Sequence, residues 1–119
     1  MKPIYIYRGE VVRVVDGDTI DCKVDLGFNS SMDIRFRVYS EDASYFDTPE
    51  TWRPKTEGEK EHGTEASVRA RELLIGQKIV LKSIKKGKYR YLAEVFLEDG
   101  RNYANIMIEE GFQKRENYK

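Results

Sequence analysis

The 119-residue chain has a single cysteine, Cys22, and a single histidine, His62. One cysteine cannot form an intrachain disulfide, and these two residues are too few for a cysteine-rich zinc site. No apolar run approaches the roughly 18–20 residues needed to cross a bilayer, and the first residues lack the apolar segment of a secretion signal. We therefore expect a protein without membrane spans that is stabilised by packing and acts in the cytoplasm, or is secreted if a leader has been removed.

An excess of charge of one sign is also absent, because 21 basic side chains balance 21 acidic ones. Attraction of the whole molecule to a polyanion is therefore excluded. The charges are instead segregated along the chain: six cations and no acid lie between Lys78 and Arg90, whereas four aspartates lie between Asp16 and Asp25. Any attraction to nucleic acid must be local.

Five segments have the alternation or the β-rich composition of strands: Val11–Val15, Thr19–Leu26, Met32–Val38, Lys78–Ile84 and Tyr91–Leu97. The stretch from Ser40 to Gly63 has little periodicity, which predicts a long loop with His62 on its surface. Thr64 is the predicted N-cap of an amphipathic helix that ends at Gly76, and a short helix is predicted at about Tyr103–Glu110. The order β-β-β-α-β-β-α predicts a mainly β fold with helices: a five-stranded Greek-key barrel of the OB type, formed by residues 1–119 as one domain.

Two turns carry acidic residues that could take part in chemistry. Asp16-Gly17-Asp18 separates the first two strands, and Asp47-Thr48-Pro49-Glu50 lies in the long loop. Each turn taken alone is typical of an ordinary exposed turn, because Asp, Gly and Pro favour turns. An arginine on a strand, such as Arg37, is likewise usually a surface residue.

The combination of these segments resembles the staphylococcal nuclease family. Both acidic turns, Arg37 between them and Lys88-Tyr89-Arg90 before the fifth strand match that family in residue type and order, across Val11–Gly111. The resemblance implies an OB barrel that binds one calcium ion and hydrolyses phosphodiester bonds of DNA and RNA. It further implies a monomer that prefers single-stranded or unpaired regions and leaves 3′-phosphate ends.

The resemblance also implies roles for the acidic residues. Asp18 and Asp47 correspond to carboxylate ligands of the calcium ion, and the backbone carbonyl of Thr48 corresponds to a third oxygen ligand. Asp16 is an acid that lies next to these ligands without binding the metal. Glu50 corresponds to the acid that orients or deprotonates the attacking water. Hard oxygen ligands in loose geometry are what Ca²⁺ prefers.

The basic and aromatic residues receive roles in the same way. Arg37 and Arg90 correspond to two arginines that clamp the scissile phosphate, a task suited to the planar guanidinium fork. Lys88 and Tyr89 correspond to residues beside the nucleotide, and Tyr118 to an aromatic residue near the base.

The sequence departs from the family pattern between Arg37 and Asp47. In the family, the aspartate ligand follows the strand arginine by five positions, whereas here Asp47 follows Arg37 by ten. The segment Ser40–Phe46 is therefore predicted to bulge outward and to lower the activity. A competing alignment makes Asp42 the ligand, but it loses both the turn proline and the catalytic acid. The alternative function is a non-catalytic OB module that binds single-stranded nucleic acid or a protein partner. The complete set of acids and arginines favours the enzyme.

Overall fold

Five strands and two helices follow one another in the predicted order. The computed structural model describes residues 3–40, 46–49, 56–84 and 91–114. The strands are β1 (Ile6–Asp16), β2 (Thr19–Gly27), β3 (Ser30–Val38), β4 (Lys78–Ile84) and β5 (Tyr91–Leu97), and the helices are α1 (Glu57–Leu74) and α2 (Tyr103–Glu109). No helix in this part of the chain is long and apolar enough to span a membrane.

The strands form a closed barrel in the order β1-β2-β3-β5-β4, in which β4 also pairs with β1. All neighbouring strands are antiparallel except β3 and β5, whose parallel pairing requires the long crossover through α1 and β4. This topology confirms the predicted five-stranded OB barrel.

The first strand is longer than predicted because it closes the barrel. Its first half, Ile6–Glu10, pairs with β4, and its register with β2 shifts between Val11 and Arg13 and again between Val14 and Asp16. Such irregularities bend a strand and break its alternation. The simple alternation rule therefore detected only part of β1.

The inward-facing side chains of all five strands fill the barrel, and both helices pack small or apolar residues into the same core. Buried side chains on the strands include Val11, Val14, Ile20, Cys22, Val24, Phe36, Val38, Ile79, Leu81 and Val95. Ala66, Ala70 and Leu74 of α1 and Tyr103 and Met107 of α2 complete the core. The core thus connects α2 directly to the barrel.

The predicted start of the first long helix at Thr64 is wrong. Helix α1 begins two turns earlier, where the side chain of Thr56 caps it by accepting a hydrogen bond from the Glu59 amide. The Thr64 hydroxyl instead donates to the carbonyl of Lys60 inside the helix. The first turns bury Glu59 and His62, so their inward face is polar and shows no apolar periodicity.

The predicted surface position of His62 is wrong for the same reason. This side chain is only 8% exposed, its Nε2 lies 2.8 Å from the carbonyl oxygen of Gly111, and its ring lies against Phe112. The histidine therefore joins α1 to the end of α2.

The prediction that Ser40–Phe46 bulges outward is wrong at both ends of the segment. Ser40 is fully buried and Phe46 is 2% exposed. The Phe46 ring packs edge-on against Tyr103, with centroids 6.2 Å apart, because burial of an aromatic ring is strongly favourable. Residues 41–45, between these two buried ends, lie outside the described residues.

Candidate metal and phosphate site

The two acidic turns meet at one end of the barrel. The amide of Thr48 donates a 3.1 Å hydrogen bond to Oδ2 of Asp18, and Nη2 of Arg37 lies within 3.6 Å of both the Asp18 and the Asp47 carboxyl groups. The amide of Asp18 donates to Oδ1 of Asp16, which holds the first turn in shape. Residues 30 positions apart in sequence thus form one acidic cluster.

Gly17 allows the close contact between the turns. A Cβ atom added at this position would lie 2.7 Å from Cγ2 and 2.9 Å from Oγ1 of Thr48. Distances below about 3.0 Å force neighbouring atoms to move, and Thr48 is itself only 2% exposed. Glycine is therefore required here because the second turn packs directly against it.

Replacing Gly17 by alanine should separate the turns and weaken binding of any cation that the two turns share. The added methyl group overpacks the contact, at a cost of about 1–3 kcal/mol in the free energy of unfolding. Denaturant unfolding and a calcium titration measure the two effects. The double variant Gly17→Ala/Thr48→Ala removes the two nearest side-chain atoms and should recover part of the lost stability; no recovery would show that the turns are not coupled through this contact.

Arg37 of β3 lies against both carboxylates. Its Nη2 is 2.9 Å from Oδ1 of Asp47 and 3.6 Å from Oδ2 of Asp18, and its side chain is 18% exposed. Pairing of Arg37 with Thr19 in the β2–β3 ladder places it beside the first turn. Arg35, two residues earlier, is 58% exposed and pairs with Asp21 instead. Of these two arginines, only Arg37 belongs to the acidic cluster.

The close approach of the two carboxyl groups makes their pKa values differ. Burial and the neighbouring Asp18 raise the pKa of Asp47 to about 6, although Arg37 and Lys114 oppose the shift. Burial also acts to raise the pKa of Asp18, but hydrogen bonds with Asp16, Asp47 and the Thr48 amide, with the charge of Arg37, outweigh it and hold the value below normal. Asp18 is therefore the ionised partner, and Asp47 keeps its proton to a higher pH.

This difference predicts how stability depends on pH in calcium-free protein. Because the pKa of Asp47 is higher in the folded chain than the unfolded value near 3.9, its contribution is present below pH 4 and lost as the pH rises through about 6. The variant Asp47→Asn does not lose this stabilisation. Between pH 4 and pH 7 its free energy of unfolding should therefore rise on the order of 1–2 kcal/mol relative to that of the wild type. Thermal melting with chelator measures the difference; a constant difference across this range would contradict the shift.

The donor atoms present suit a hard cation that keeps several water ligands. Within the described ranges, no group of three or more His, Cys, Asp and Glu residues could hold a metal ion, so a cage made only of such side chains is absent there. Asp18 and Asp47 supply two carboxylates, and the buried hydroxyl of Thr48 has no hydrogen-bond partner among the described residues. Calcium accepts carboxylate, carbonyl and water oxygens in flexible geometry, so this set fits it.

Zinc does not fit the same residues. Cys22 is 1% exposed inside the barrel, and burial raises the pKa of its thiol to about 12. The His62 ring is held at Gly111. Neither preferred zinc ligand joins the acidic cluster.

The structure brings together five of the predicted site residues: Asp16, Asp18, Arg37, Asp47 and Thr48. The remaining predicted site residues are Glu50, Lys88, Tyr89, Arg90 and Tyr118, which lie outside the described residues. Their roles stay predictions. Tyr91, which follows Arg90 in sequence, pairs with Phe36 of β3. The backbone therefore brings the start of β5 next to the strand that carries Arg37.

A groove of about 910 Å³ lies elsewhere, beside the β2–β3 hairpin. Its charged lining residues are of both signs: Arg8, Lys23, Lys78, Glu10, Asp25 and Glu98. A surface with charges of both signs attracts a polyanion such as nucleic acid only weakly. The acidic cluster with Arg37 remains the stronger candidate for phosphate chemistry.

Sequence reasoning missed three residues that support the site. Tyr103 was predicted only as the start of a short helix, yet its hydroxyl donates a 2.6 Å hydrogen bond to the carbonyl of Gly17. Gln113 and Lys114 received no role, although both bond to the backbone of Asp47. No local pattern could have indicated contacts made across more than 60 residues.

A known protein family matches part of the chain. The family model described as staphylococcal nuclease homologue matches residues 44–119, more than half of the chain. The match includes Asp47 and Thr48, whereas Asp18 and Arg37 precede it and are brought to the same place by the barrel. No curated protein matches the chain. The chain belongs to the staphylococcal nuclease homologue family.

Proposed function

We propose that this protein is a calcium-dependent nuclease that hydrolyses phosphodiester bonds of both DNA and RNA. Membership of the family, with the OB barrel, indicates a nuclease or a nucleic-acid-binding protein. The observation that carries the finer proposal is the meeting of Asp18, Asp47 and Arg37 in one cluster with little solvent exposure. A module that only binds nucleic acid has no need of two carboxylates where a phosphate would lie.

The acidic residues of the cluster would hold the metal. Asp18 and Asp47 are the proposed carboxylate ligands, with the carbonyl of Thr48 as a third oxygen. Calcium, when bound, supplies positive charge that polarises a phosphate oxygen. Asp16 keeps Asp18 in place by accepting its amide hydrogen bond.

The arginines would stabilise the charge that develops on the phosphate during attack. The guanidinium group of Arg37 extends from β3 to the carboxylates of Asp18 and Asp47. Its planar fork can pair with two phosphate oxygens. In this proposal Arg90 forms the other half of the clamp. Such preorganised donors usually provide one of the largest contributions to catalysis.

Glu50 is the proposed acceptor of the proton from the attacking water. The water oxygen bonds to phosphorus and the bond from phosphorus to the 5′ oxygen breaks, which leaves a 3′-phosphate end and a 5′ oxygen that takes a proton from solvent to become a hydroxyl. We place Lys88, Tyr89 and Tyr118 beside the nucleotide, where aromatic rings would stack on unpaired bases. Single-stranded regions are accordingly the preferred substrates, and the lengthened connection to Asp47 is proposed to lower the rate.

Digestion of heat-denatured DNA and of RNA tests this function. We expect both to be cleaved with millimolar calcium and neither with excess chelator. The variant Asp18→Asn, which keeps the shape of the turn but lowers the ligand charge, serves as the control for a contaminating nuclease. Binding without cleavage in calcium would instead support a non-catalytic OB module.

A further inference from the structure

Helix α2 contacts the first acidic turn through its first residue. Tyr103 is fully buried, and its hydroxyl donates a 2.6 Å hydrogen bond to the carbonyl oxygen of Gly17 across 86 residues of sequence. The helix start is itself fixed, because the side chain of Asn102 caps it by accepting from the Asn105 amide. The phenol is therefore a rigid attachment for the turn that carries Asp18.

The segment that follows α2 contacts the second acidic turn. The amide of Lys114 donates a 2.7 Å hydrogen bond to the carbonyl of Asp47, and the side-chain oxygen of Gln113 accepts one from the amide of Asp47. Both backbone groups of this proposed ligand are thus held by residues from the same short segment.

The segment itself is anchored to α1 by a buried ion pair. Nζ of Lys114 lies 3.3 Å from Oε2 of Glu59, a carboxylate that is 1% exposed. A charge this deeply buried is costly unless it is paired, so the pair must form when the segment docks. The contacts of His62 with Gly111 and Phe112 add to the same anchor.

We propose that Tyr103, the first residue of α2, and Lys114, in the segment that follows α2, are positioning residues that hold the first acidic turn and Asp47 at the separation that a shared cation requires. This inference rests on the proposed calcium-dependent function. Neither residue is needed to touch the substrate. Their effect arises because a displacement of about 1 Å at a reacting group can lower a rate a hundredfold.

Tyr103→Phe is the most direct test, because it removes one hydroxyl and keeps the core ring. Calorimetric titration of the intact chain with calcium should show affinity about 10- to 100-fold weaker than wild type, as for other residues that support metal ligands. Hydrogen exchange of the Asp18 amide in calcium-free protein should become faster. Tyr7→Phe, a half-buried tyrosine on β1 that pairs with Leu81 of β4, is the matched control and should change neither quantity.

The double variant Glu59→Gln/Lys114→Met tests the other end of α2 without leaving a buried charge unpaired. We expect weaker calcium affinity and faster exchange of the Thr48 amide, with Lys114→Arg behaving like wild type. Wild-type affinity and exchange rates in both Tyr103→Phe and the double variant would overturn the inference. If the wild type binds no calcium, the proposed function fails, and the exchange rates in metal-free protein still decide whether α2 holds the turns.

Discussion

Replacing Arg37 by lysine should lower the rate of nucleic-acid cleavage by roughly 100- to 1000-fold, the usual effect of removing one preorganised donor from a transition state. Lysine keeps the positive charge beside Asp18 and Asp47, so the change in the free energy of unfolding should stay within about 1 kcal/mol. What lysine loses is the planar fork that can hold two phosphate oxygens. Steady-state kinetics on a single-stranded oligonucleotide measure the rate, and chemical denaturation measures the stability.

Arg35→Lys provides the matched control for this prediction. Arg35 lies on the same strand and makes a two-point contact with the carboxylate of Asp21, but its side chain is mostly exposed and lies outside the acidic cluster. Its replacement should leave the rate unchanged. If Arg37→Lys cleaves as fast as Arg35→Lys and the wild type, Arg37 does not belong to the catalytic site.

Asp47→Asn should abolish calcium-dependent cleavage, because one of two carboxylate ligands is lost. The variant should also lose the rise in melting temperature that saturating calcium gives a protein able to bind it only when folded. In calcium-free buffer at pH 7 the same variant should melt higher than wild type, because it no longer places an acid with a raised pKa beside ionised Asp18. Opposite effects with and without calcium distinguish a lost ligand from general damage to the fold.

Asp42→Asn is the control for this second prediction, because the competing alignment makes Asp42 the ligand. We expect cleavage and calcium stabilisation close to those of wild type. If Asp42→Asn is inactive and Asp47→Asn is active, the register of the loop is wrong and the role of Glu50 must be reassigned.

Much of the barrel could be predicted from sequence because its strands have alternating apolar residues or a β-rich composition. Strands β4 and β5 lie where composition placed them, and β2 and β3 differ only at their ends. Helix α1 was predicted too short because its first turns bury Glu59 and His62, and polar residues on an inward face do not register as apolar periodicity. Their burial depends on partners supplied by the segment that follows α2.

The site could be predicted only in part, for a related reason. Local turn preferences identify Asp16-Gly17-Asp18 as a turn, but they contain no information about Thr48, against which Gly17 packs. The association of Asp18, Arg37 and Asp47 came from the resemblance to a family, and the barrel gives it a physical basis by bringing β2 and β3 to the second turn. The attachments through Tyr103 and Lys114 arise from tertiary packing alone.

Calorimetric titration of calcium into the intact protein at pH 7 tests most directly whether the two acidic turns form a single metal site. We predict one calcium ion per chain for the wild type and for Arg35→Lys, and no binding heat for Asp47→Asn under the same conditions. A wild-type protein that takes up no calcium, or an Asp47→Asn variant that binds it with unchanged stoichiometry and affinity, would contradict the proposed site.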